Sequence, residues 1–329
     1  DSGLWPFVKQ RPLDIIADPK NKPKSIFISA FDSSPLAPDF DFSMQGQTED
    51  FQIGINALAK LTEGEVHLTI SSSTPATSFF NNVKGVKKHK IKGKHPAGNV
   101  GTQIHHIDPI NKGDFIWTIN AQDVAIIGRF FQKGFFDAKK VIALAGSEVK
   151  SPRYYRLLMC SNLSKMLEGN IEDKNTRIIS GTALTGDKKK IDAYLGFYHN
   201  QVTVLPEGDN YKFFLTKGWL GPGFGAFSNS RLYPTFLMPN KKYRLDTNTN
   251  GEERAFVVTG ELEKVFPFDI LPMHLIKAAI TKDIDGMENL GIYEVAPEDF
   301  ALCEFVCTTK INIQEKIREG LDLIQKECM

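Results

Sequence analysis

SIFISAF at residues 25–31 and EVHLTI at residues 65–70 are the two runs that decide the fold. Both are short and apolar, and both are typical of buried strands. Between them Phe51, Ile55 and Leu58 recur at helical spacing, and a glycine at position 64 follows the end of that pattern. A strand, a helix and a second strand within about 45 residues predict a parallel βαβ unit.

The same alternation continues toward the C-terminus. Val124, Ile127 and Phe131 lie on one face of a helix predicted over residues 122–131, and VIALAG at residues 141–146 is predicted to be another buried strand. The α/β pattern covers residues 14–147, and we set a three-layer Rossmann-like α/β domain at residues 14–137. Because prolines recur up to residue 23, we expect residues 1–13 to form an irregular lead-in.

Short strands and turns replace this pattern after residue 146. Strands are predicted at residues 176–180, 201–205 and 256–259, with one short helix at residues 164–167. We interpret the region as a small mixed β domain followed by a loop-rich β segment at residues 196–262.

Helical patterns return in a C-terminal helical domain, residues 263–329. The candidates are residues 271–281, 297–307 and 312–327. The last begins with a capping box formed by Asn312 and Glu315 and carries apolar residues at 313, 317, 321 and 324.

The composition excludes several classes of protein. The 329 residues carry 40 Lys and Arg against 39 Asp and Glu, a net charge of +1, which argues against a nucleic-acid-binding protein. No apolar run approaches the roughly 20 residues of a membrane-spanning helix. Four cysteines are too few for a disulfide framework and fit a reducing compartment.

The densest motif is GKHPAGNVGTQIHHIDP at residues 93–109. Its glycine spacing is neither a dinucleotide fingerprint nor a P-loop. His105, His106 and Asp108 are candidate metal ligands, but adjacent histidines on a strand point to opposite faces. We therefore favour a structural turn with hydrogen-bonded histidines over a ligand site.

Three other features have both a functional and a structural interpretation. The lysine-rich residues 84–94 suit anionic lipid head groups or an acidic partner, but we favour a solvated strand edge protected by lysines. Cys303 and Cys307 lack metal-site spacing, so we interpret them as buried structural thiols. The apolar, glycine-rich loop from Trp219 to Phe227 either faces a partner or membrane surface or folds into the core.

Several motifs in order along the chain resemble one family. They are SGLW at residues 2–5 with RP at 11–12, the run from HPAG at 95–98 to DP at 108–109, IISG at 178–181 with LTG at 184–186, AYLGFYHNQV at 193–202, TNTNG at 247–251 and EDFALCEFVC at 298–307. This pattern resembles the A subunit of the bacterial Na⁺-translocating NADH:quinone oxidoreductase (Na⁺-NQR), with distant similarity to the NADH- and FMN-binding subunit of complex I and to the C subunit of the Rnf complex. Because that family has a further N-terminal domain, we expect this sequence to be a truncated form.

The resemblance implies a peripheral member of a respiratory Na⁺ pump, on the cytoplasmic face of the bacterial inner membrane. It implies a β-grasp (SLBB-like) domain at residues 138–195, and partners among the B to F subunits, chiefly the B subunit, with ubiquinone as a candidate ligand. The flavin-binding relatives continue after SGL with a glycine-rich phosphate loop, whereas residues 5–12 here hold bulky side chains and no glycine.

We therefore expect no cofactor in this chain, with NADH, flavins and an iron–sulfur centre in partner subunits. The alternatives are a flavin- or NADH-binding dehydrogenase module and an SLBB-type module for a small ligand. No motif in the sequence marks a catalytic, cofactor-binding or metal-binding residue. The residues expected to face a partner or the quinone are His95, Pro96, Gly98, Gly101, His105, His106, Trp219, Phe224 and Phe227.

Overall fold

The computed structural model describes residues 2–172, 175–210, 213, 215, 220–221, 223–227, 233–238 and 240–328. It contains a six-stranded sheet, a five-stranded sheet and a C-terminal helical region. In this part of the chain no helix is long and apolar enough to cross a membrane.

The first sheet has the strand order β2-β1-β6-β3-β4-β5. Its strands are β1 (Lys9–Arg11), β2 (Ile15–Ile16), β3 (Ser25–Ser29), β4 (Val66–Ser71), β5 (Lys87–Ile91) and β6 (Ile116–Asn120). Strands β6, β3, β4 and β5 are mutually parallel, as the βαβ pattern predicts. Strand β1 pairs antiparallel with both β2 and β6. The prediction that residues 1–13 form an irregular lead-in is therefore wrong for Lys9–Arg11, which belong to the sheet.

Helices cover both faces of this sheet. They are α1 (Phe40–Ser43), α2 (Thr48–Leu58), α3 (Val100–Ile107) and α4 (Ala121–Lys133). Helices α2 and α4 pack so tightly that a Cβ atom at Gly128 would lie 1.7 Å from the carbonyl oxygen of Asp50. Helix α3 packs on the other face through Ile104, which joins a small core with Phe27 and Ile116. The three-layer prediction is confirmed.

The predicted stripe of α4 is wrong at its last member. Val124 and Ile127 are buried, but the side chain of Phe131 is 63 % exposed. Residues 131–136 are all exposed, because the last turn of α4 and the loop after it extend beyond the core.

The second sheet has the order β10-β9-β11-β7-β8. Its elements are β7 (Lys139–Ala145), β8 (Arg153–Leu158), the short helix α5 (Ser164–Leu167), β9 (Thr176–Ser180), β10 (Asp187–Lys189) and β11 (Gln201–Pro206). Strand β7, which the sequence pattern assigns to the first α/β unit, belongs here because it pairs with β8 and β11. Strand β11 lies beyond residue 195 and also completes this sheet.

Helices α6 (Pro272–Thr281), α7 (Ile284–Asn289), α8 (Ala301–Val306) and α9 (Ile313–Cys328) form the C-terminal region. The predicted stripe of α9 is fully buried. Residues 256–259 are not a strand; Phe256 instead packs against the helical core, and Arg254 N donates to Thr309 O at 2.8 Å. The short 3₁₀ helices are Trp5–Phe7, Phe79–Asn82, Pro234–Leu237, Ile292–Glu294 and Pro297–Phe300.

Candidate functional site

A cleft of about 230 Å³ opens where β3 and β6 end, at Ser29 and Asn120. Strand β3 lies between β4, the next strand along the chain, and β6. The strand order of the sheet therefore reverses direction between β3 and β6. Ligands of open α/β sheets bind at such a switch point, outside the carboxyl ends of the strands. We call this the strand-end cleft.

Three parts of the chain build its walls. The first domain contributes Phe7, Phe31 and Phe40, the second sheet region contributes Tyr198, and the C-terminal region contributes Glu298. The cleft therefore exists only when these parts are packed together.

The Tyr198 wall is held by contacts to the N-terminal segment. The hydroxyl of Tyr198 donates to Pro6 O at 2.9 Å, and the Lys9 ammonium lies 4.6 Å from the centre of its ring. Next to it the Phe7 and Phe197 rings stack with centroids 5.2 Å apart. Lys9 also pairs with Asp14 at 3.2 Å, so its charge is already partly neutralised.

The turn at residues 95–98 is fixed against the loop after β3. His95 Nδ1 lies 3.1 Å from Ser33 Oγ, and Gly98 N donates to the same oxygen at 2.7 Å. A Cβ atom at Gly98 would lie 2.3 Å from Ser33 N, so this close approach requires glycine. Burial lowers the pKa of His95 below its usual value, which keeps the imidazole neutral at pH 7.

The residues that follow this turn form helix α3, not the strand assumed from the sequence. Gln103 anchors the helix, because its Nε2 donates to Gly98 O at 3.1 Å and its Oε1 accepts from Thr69 Oγ1 at 2.6 Å. His105 Nδ1 lies 2.7 Å from Glu294 Oε2, and Asp269 N donates to His105 Nε2 at 3.1 Å.

These contacts support the structural interpretation of the histidines. Both ring nitrogens of His105 are hydrogen-bonded, its ring stacks on Phe268, and His106 Nδ1 lies 2.8 Å from Thr102 O. Among the described residues no group of three or more His, Cys, Asp or Glu is placed to hold a metal ion.

Arg11, which belongs to the RP motif at residues 11–12, forms a buried ion-pair cluster that the motif alone does not reveal. Its side chain is 1 % exposed, and its guanidinium pairs with Asp299 at 2.7 Å and with Glu298 at 2.6 Å. Gly101 lies against this cluster, because a Cβ there would be 2.5 Å from both carboxylate oxygens of Asp299. The cluster joins β1 and α3 to the C-terminal region and so positions the Glu298 wall.

The cleft is rich in carboxyl groups. Asp14, Asp32, Asp123 and Glu298 line it, with Lys9 the single amine among the lining residues that the structure describes. Asp123 pairs with the buried Lys140 at 2.8 Å, and burial raises the pKa of this carboxyl group. A phosphate-bearing ligand would find no unpaired amine among the described lining residues, whereas a neutral ring with carbonyl oxygens would meet three phenylalanines and the polar groups at the strand ends.

The candidate residues do not form one cluster. His95 and Gly98 line the cleft, Pro96 and Gly101 are buried, His105 is half-buried and His106 is exposed. Phe224 and Phe227 are exposed at 62 % and 45 % and lie outside the cleft, and Trp219 lies outside the described residues. Which of them faces a partner stays a prediction. The sequence signal that could have located the cleft is a polar residue at the end of each apolar strand, Ser29 in β3 and Asn120 in β6.

Two family models match this chain. The family model described as "NqrA second alpha/beta domain" matches residues 1–136, and the model described as "NQRA C-terminal domain" matches residues 141–190. A solved NAD⁺-reducing [NiFe]-hydrogenase is 10 % identical, with a TM-score of 0.47 over 94 % of this chain and 55 % of that one.

Curated relatives named as the A subunit of the Na(+)-translocating NADH-quinone reductase match nearly the whole chain. The protein from Rhodopirellula baltica is 39 % identical over 99 % of this chain and 71 % of its own length. That from Neisseria meningitidis serogroup B is 38 % identical over 99 % of this chain and 72 % of its own length. The chain belongs to the NqrA family, the A subunits of the Na⁺-translocating NADH-quinone reductase.

Proposed function

We infer that this chain is the peripheral A subunit of a Na⁺-pumping NADH:ubiquinone oxidoreductase, and that it carries no electrons itself. It docks on the other subunits, B to F and chiefly the B subunit, on the cytoplasmic face of the bacterial inner membrane. Family membership over 99 % of the chain is the observation that carries this proposal.

The cysteines support a role without an iron–sulfur centre. Burial raises the pKa of the Cys303 thiol to about 12, so it stays protonated and is a poor metal ligand. Cys307 is also buried, and its Sγ lies 3.0 Å from Thr309 Oγ1. Cys160 and Cys328 are exposed and lie elsewhere in the fold. NADH, flavins and an iron–sulfur centre are then held by the partner subunits.

The N-terminal segment supports a role without flavin. The region after SGL forms a 3₁₀ helix at Trp5–Phe7 and the strand β1, with Phe7 and Val8 buried. Bulky buried side chains leave no glycine-rich backbone to wrap a phosphate. Three of the four carboxyl groups of the cleft are paired with Lys9, Arg11 and Lys140, so the described lining offers no unpaired amine to hold the phosphate of a dinucleotide or FMN.

We assign the quinone head group to the strand-end cleft. An apolar cavity of about 150 Å³ holds a benzene molecule, so about 230 Å³ suits one substituted ring. Phe7, Phe31 and Phe40 offer aromatic contacts, and the side chains of Asn120 and Lys9 offer hydrogen-bond donors for the quinone oxygens.

Two measurements on the purified chain test this function. Its absorbance spectrum should show neither a flavin band nor an iron–sulfur band in stoichiometric amount; such a band would contradict the role without redox groups. Titration with a short-chain ubiquinone should show saturable binding that Phe31→Ala weakens about tenfold, since one aromatic contact contributes roughly 1–1.5 kcal/mol. The exposed Phe131→Ala is the matched control and should leave the affinity unchanged.

A further inference from the structure

A second, larger cavity of about 640 Å³ lies between the edge strand β5 and helix α3. It shares the turn at residues 95–98 with the cleft, because Pro96 and Ala97 line this cavity while His95 and Gly98 line the cleft. Lys88, Lys90, Lys92 and Lys94 line it, and its described lining includes no carboxylate. We call it the lysine groove.

The charges of the groove are largely uncompensated. Within the described part of the chain, Lys90, Lys92 and Lys94 take part in no ion pair, and Lys88 Nζ donates to Asn81 O at 2.5 Å. Lys87, on the same strand, differs because it pairs with Glu65 at 2.8 Å. Lys88 and Lys90 are alternate residues of strand β5, about 6.6 Å apart, and Lys92 and Lys94 follow the strand in sequence. We call these four lysines the lysine row.

The backbone beside this row is open. Strand β5 is the last in its sheet, and no described strand pairs with its outer side. Unpaired N–H and C=O groups on such an edge can accept another strand. The lysines repel a second copy of β5, but they attract a strand that carries carboxylates at alternate positions.

A buried hydroxyl points to a ligand independently of the charge. Thr102 lines the groove and is 7 % exposed, and its Oγ1 has no hydrogen-bond partner among the described residues. A buried polar group without a partner costs about 1–3 kcal/mol. An oxygen of a bound segment would satisfy this hydroxyl once the Thr102 side chain rotates toward the groove, because Oγ1 itself is solvent-inaccessible.

We propose that the lysine groove binds an acidic, extended segment of a partner protein, which adds to the sheet as a further strand beside β5. Aspartate or glutamate at alternate positions faces the lysine row, and the backbone pairs with the strand edge. A lipid bilayer fits less well, since a flat surface of head groups does not pair with the backbone of a strand edge.

The first test uses a blocked seven-residue peptide with glutamate and valine alternating, and measures its affinity by fluorescence anisotropy. We expect saturable binding that the Lys90→Glu, Lys92→Glu double variant weakens about tenfold, since each ion pair contributes up to about 1 kcal/mol. The control Lys22→Glu, Lys326→Glu makes the same change in net charge at two side chains that are each 80 % exposed, and should bind as the parent does. Equal weakening in both double variants, or no binding by the parent, would overturn the proposal.

The second test separates strand addition from simple charge attraction. The same peptide N-methylated at alternate residues keeps its glutamates but loses backbone donors, and should bind at least tenfold more weakly. Thr102→Val should fold normally and weaken binding several-fold. An undiminished affinity of the N-methylated peptide, or lysine-dependent binding to phosphatidylglycerol vesicles with none to the peptide, would refute the acidic-strand ligand.

Discussion

The strand-end cleft and the lysine groove lie on two sides of one turn but are built in opposite ways. The cleft is walled by three parts of the chain and lined by four carboxyl groups and one amine among the described residues. The groove belongs almost entirely to the first domain and is lined by four lysines with no carboxylate in the part that the structure describes. The contrast teaches that the fold keeps a carboxyl-lined cavity and a lysine-lined cavity apart, and our two proposals assign them to a neutral ring and to an anionic partner respectively.

The largest expected effect comes from Arg11→Ala, which should disrupt the strand-end cleft and leave the lysine groove intact. Arg11→Ala removes the cation that neutralises the fully buried Asp299, and an unpaired buried charge costs about 3–5 kcal/mol. The urea midpoint should fall accordingly, and quinone affinity should fall with it because the Glu298 wall loses its anchor. The Arg11→Ala variant should bind the acidic peptide as tightly as the parent chain does under conditions in which the variant remains folded.

Lys22→Ala is the control for that substitution. It breaks the ion pair of Lys22 with Glu63 at 2.7 Å, whose partners are 80 % and 85 % exposed. Such pairs contribute at most about 1 kcal/mol, so the midpoint should barely move. If Arg11→Ala were as mild as Lys22→Ala, the buried cluster would not hold the cleft together.

A moderate effect should come from the shared turn. Gly98→Ala places a Cβ 2.3 Å from Ser33 N, which forces the turn away from the loop after β3 and costs about 1–3 kcal/mol. Because Gly98 and His95 line the cleft, whereas the proposed peptide contacts are strand β5 and its lysines, quinone binding should weaken more than peptide binding. Gly225→Ala, where a Cβ would meet no atom within 4 Å, should change neither. Equal losses at both sites would show that the turn does not separate them.

The smallest effect is a pH dependence that both sites share. Burial lowers the pKa of His89, in the groove, and of His95, in the cleft, and also that of His67, whose Nδ1 lies 2.9 Å from His89 Nε2. As the pH falls through about 6.5, these histidines take up protons in the unfolded chain before they do so in the folded one. Their contribution to the free energy of unfolding is therefore complete above that pH and is lost below it. The thermal midpoint should be lower at about pH 5.5 than at about pH 7.5.

The double variant His67→Gln, His89→Gln checks the origin of that effect. It removes two of the histidines that must stay neutral, so the drop in thermal midpoint on acidification should shrink relative to the parent chain. A drop of unchanged size, or a midpoint that rises on acidification, would assign the pH dependence to other groups.

Local patterns made much of the fold predictable. Strand β3, helix α2 and the buried stripe of α9 follow from hydrophobic periodicity within about a dozen residues. Strand β7 is recognisable as a strand, but the pattern assigns it to the wrong sheet because its partners β8 and β11 are chosen by tertiary pairing.

The candidate site was harder to predict because it depends on contacts between distant residues. Arg11 lies in a proline-rich stretch, and its partners are 287 and 288 residues away in sequence. Helix α3 was missed because glycines and a proline precede a short helix of eight residues, where a stripe is hard to detect. Only its tertiary partners, such as Glu294, fix the orientation of the histidines.

A fluorescence titration of the Trp219→Phe variant, whose two remaining tryptophans are Trp5 and Trp117, tests the central claim most directly. Trp5 and Trp117 pack edge to face with centroids 5.3 Å apart, next to the lining residues Phe7 and Thr118, so they report on the cleft. A water-soluble ubiquinone should quench this emission saturably, and FMN at the same concentrations should not. Saturable quenching by FMN with none by the quinone would contradict the account and would make the cleft a flavin site.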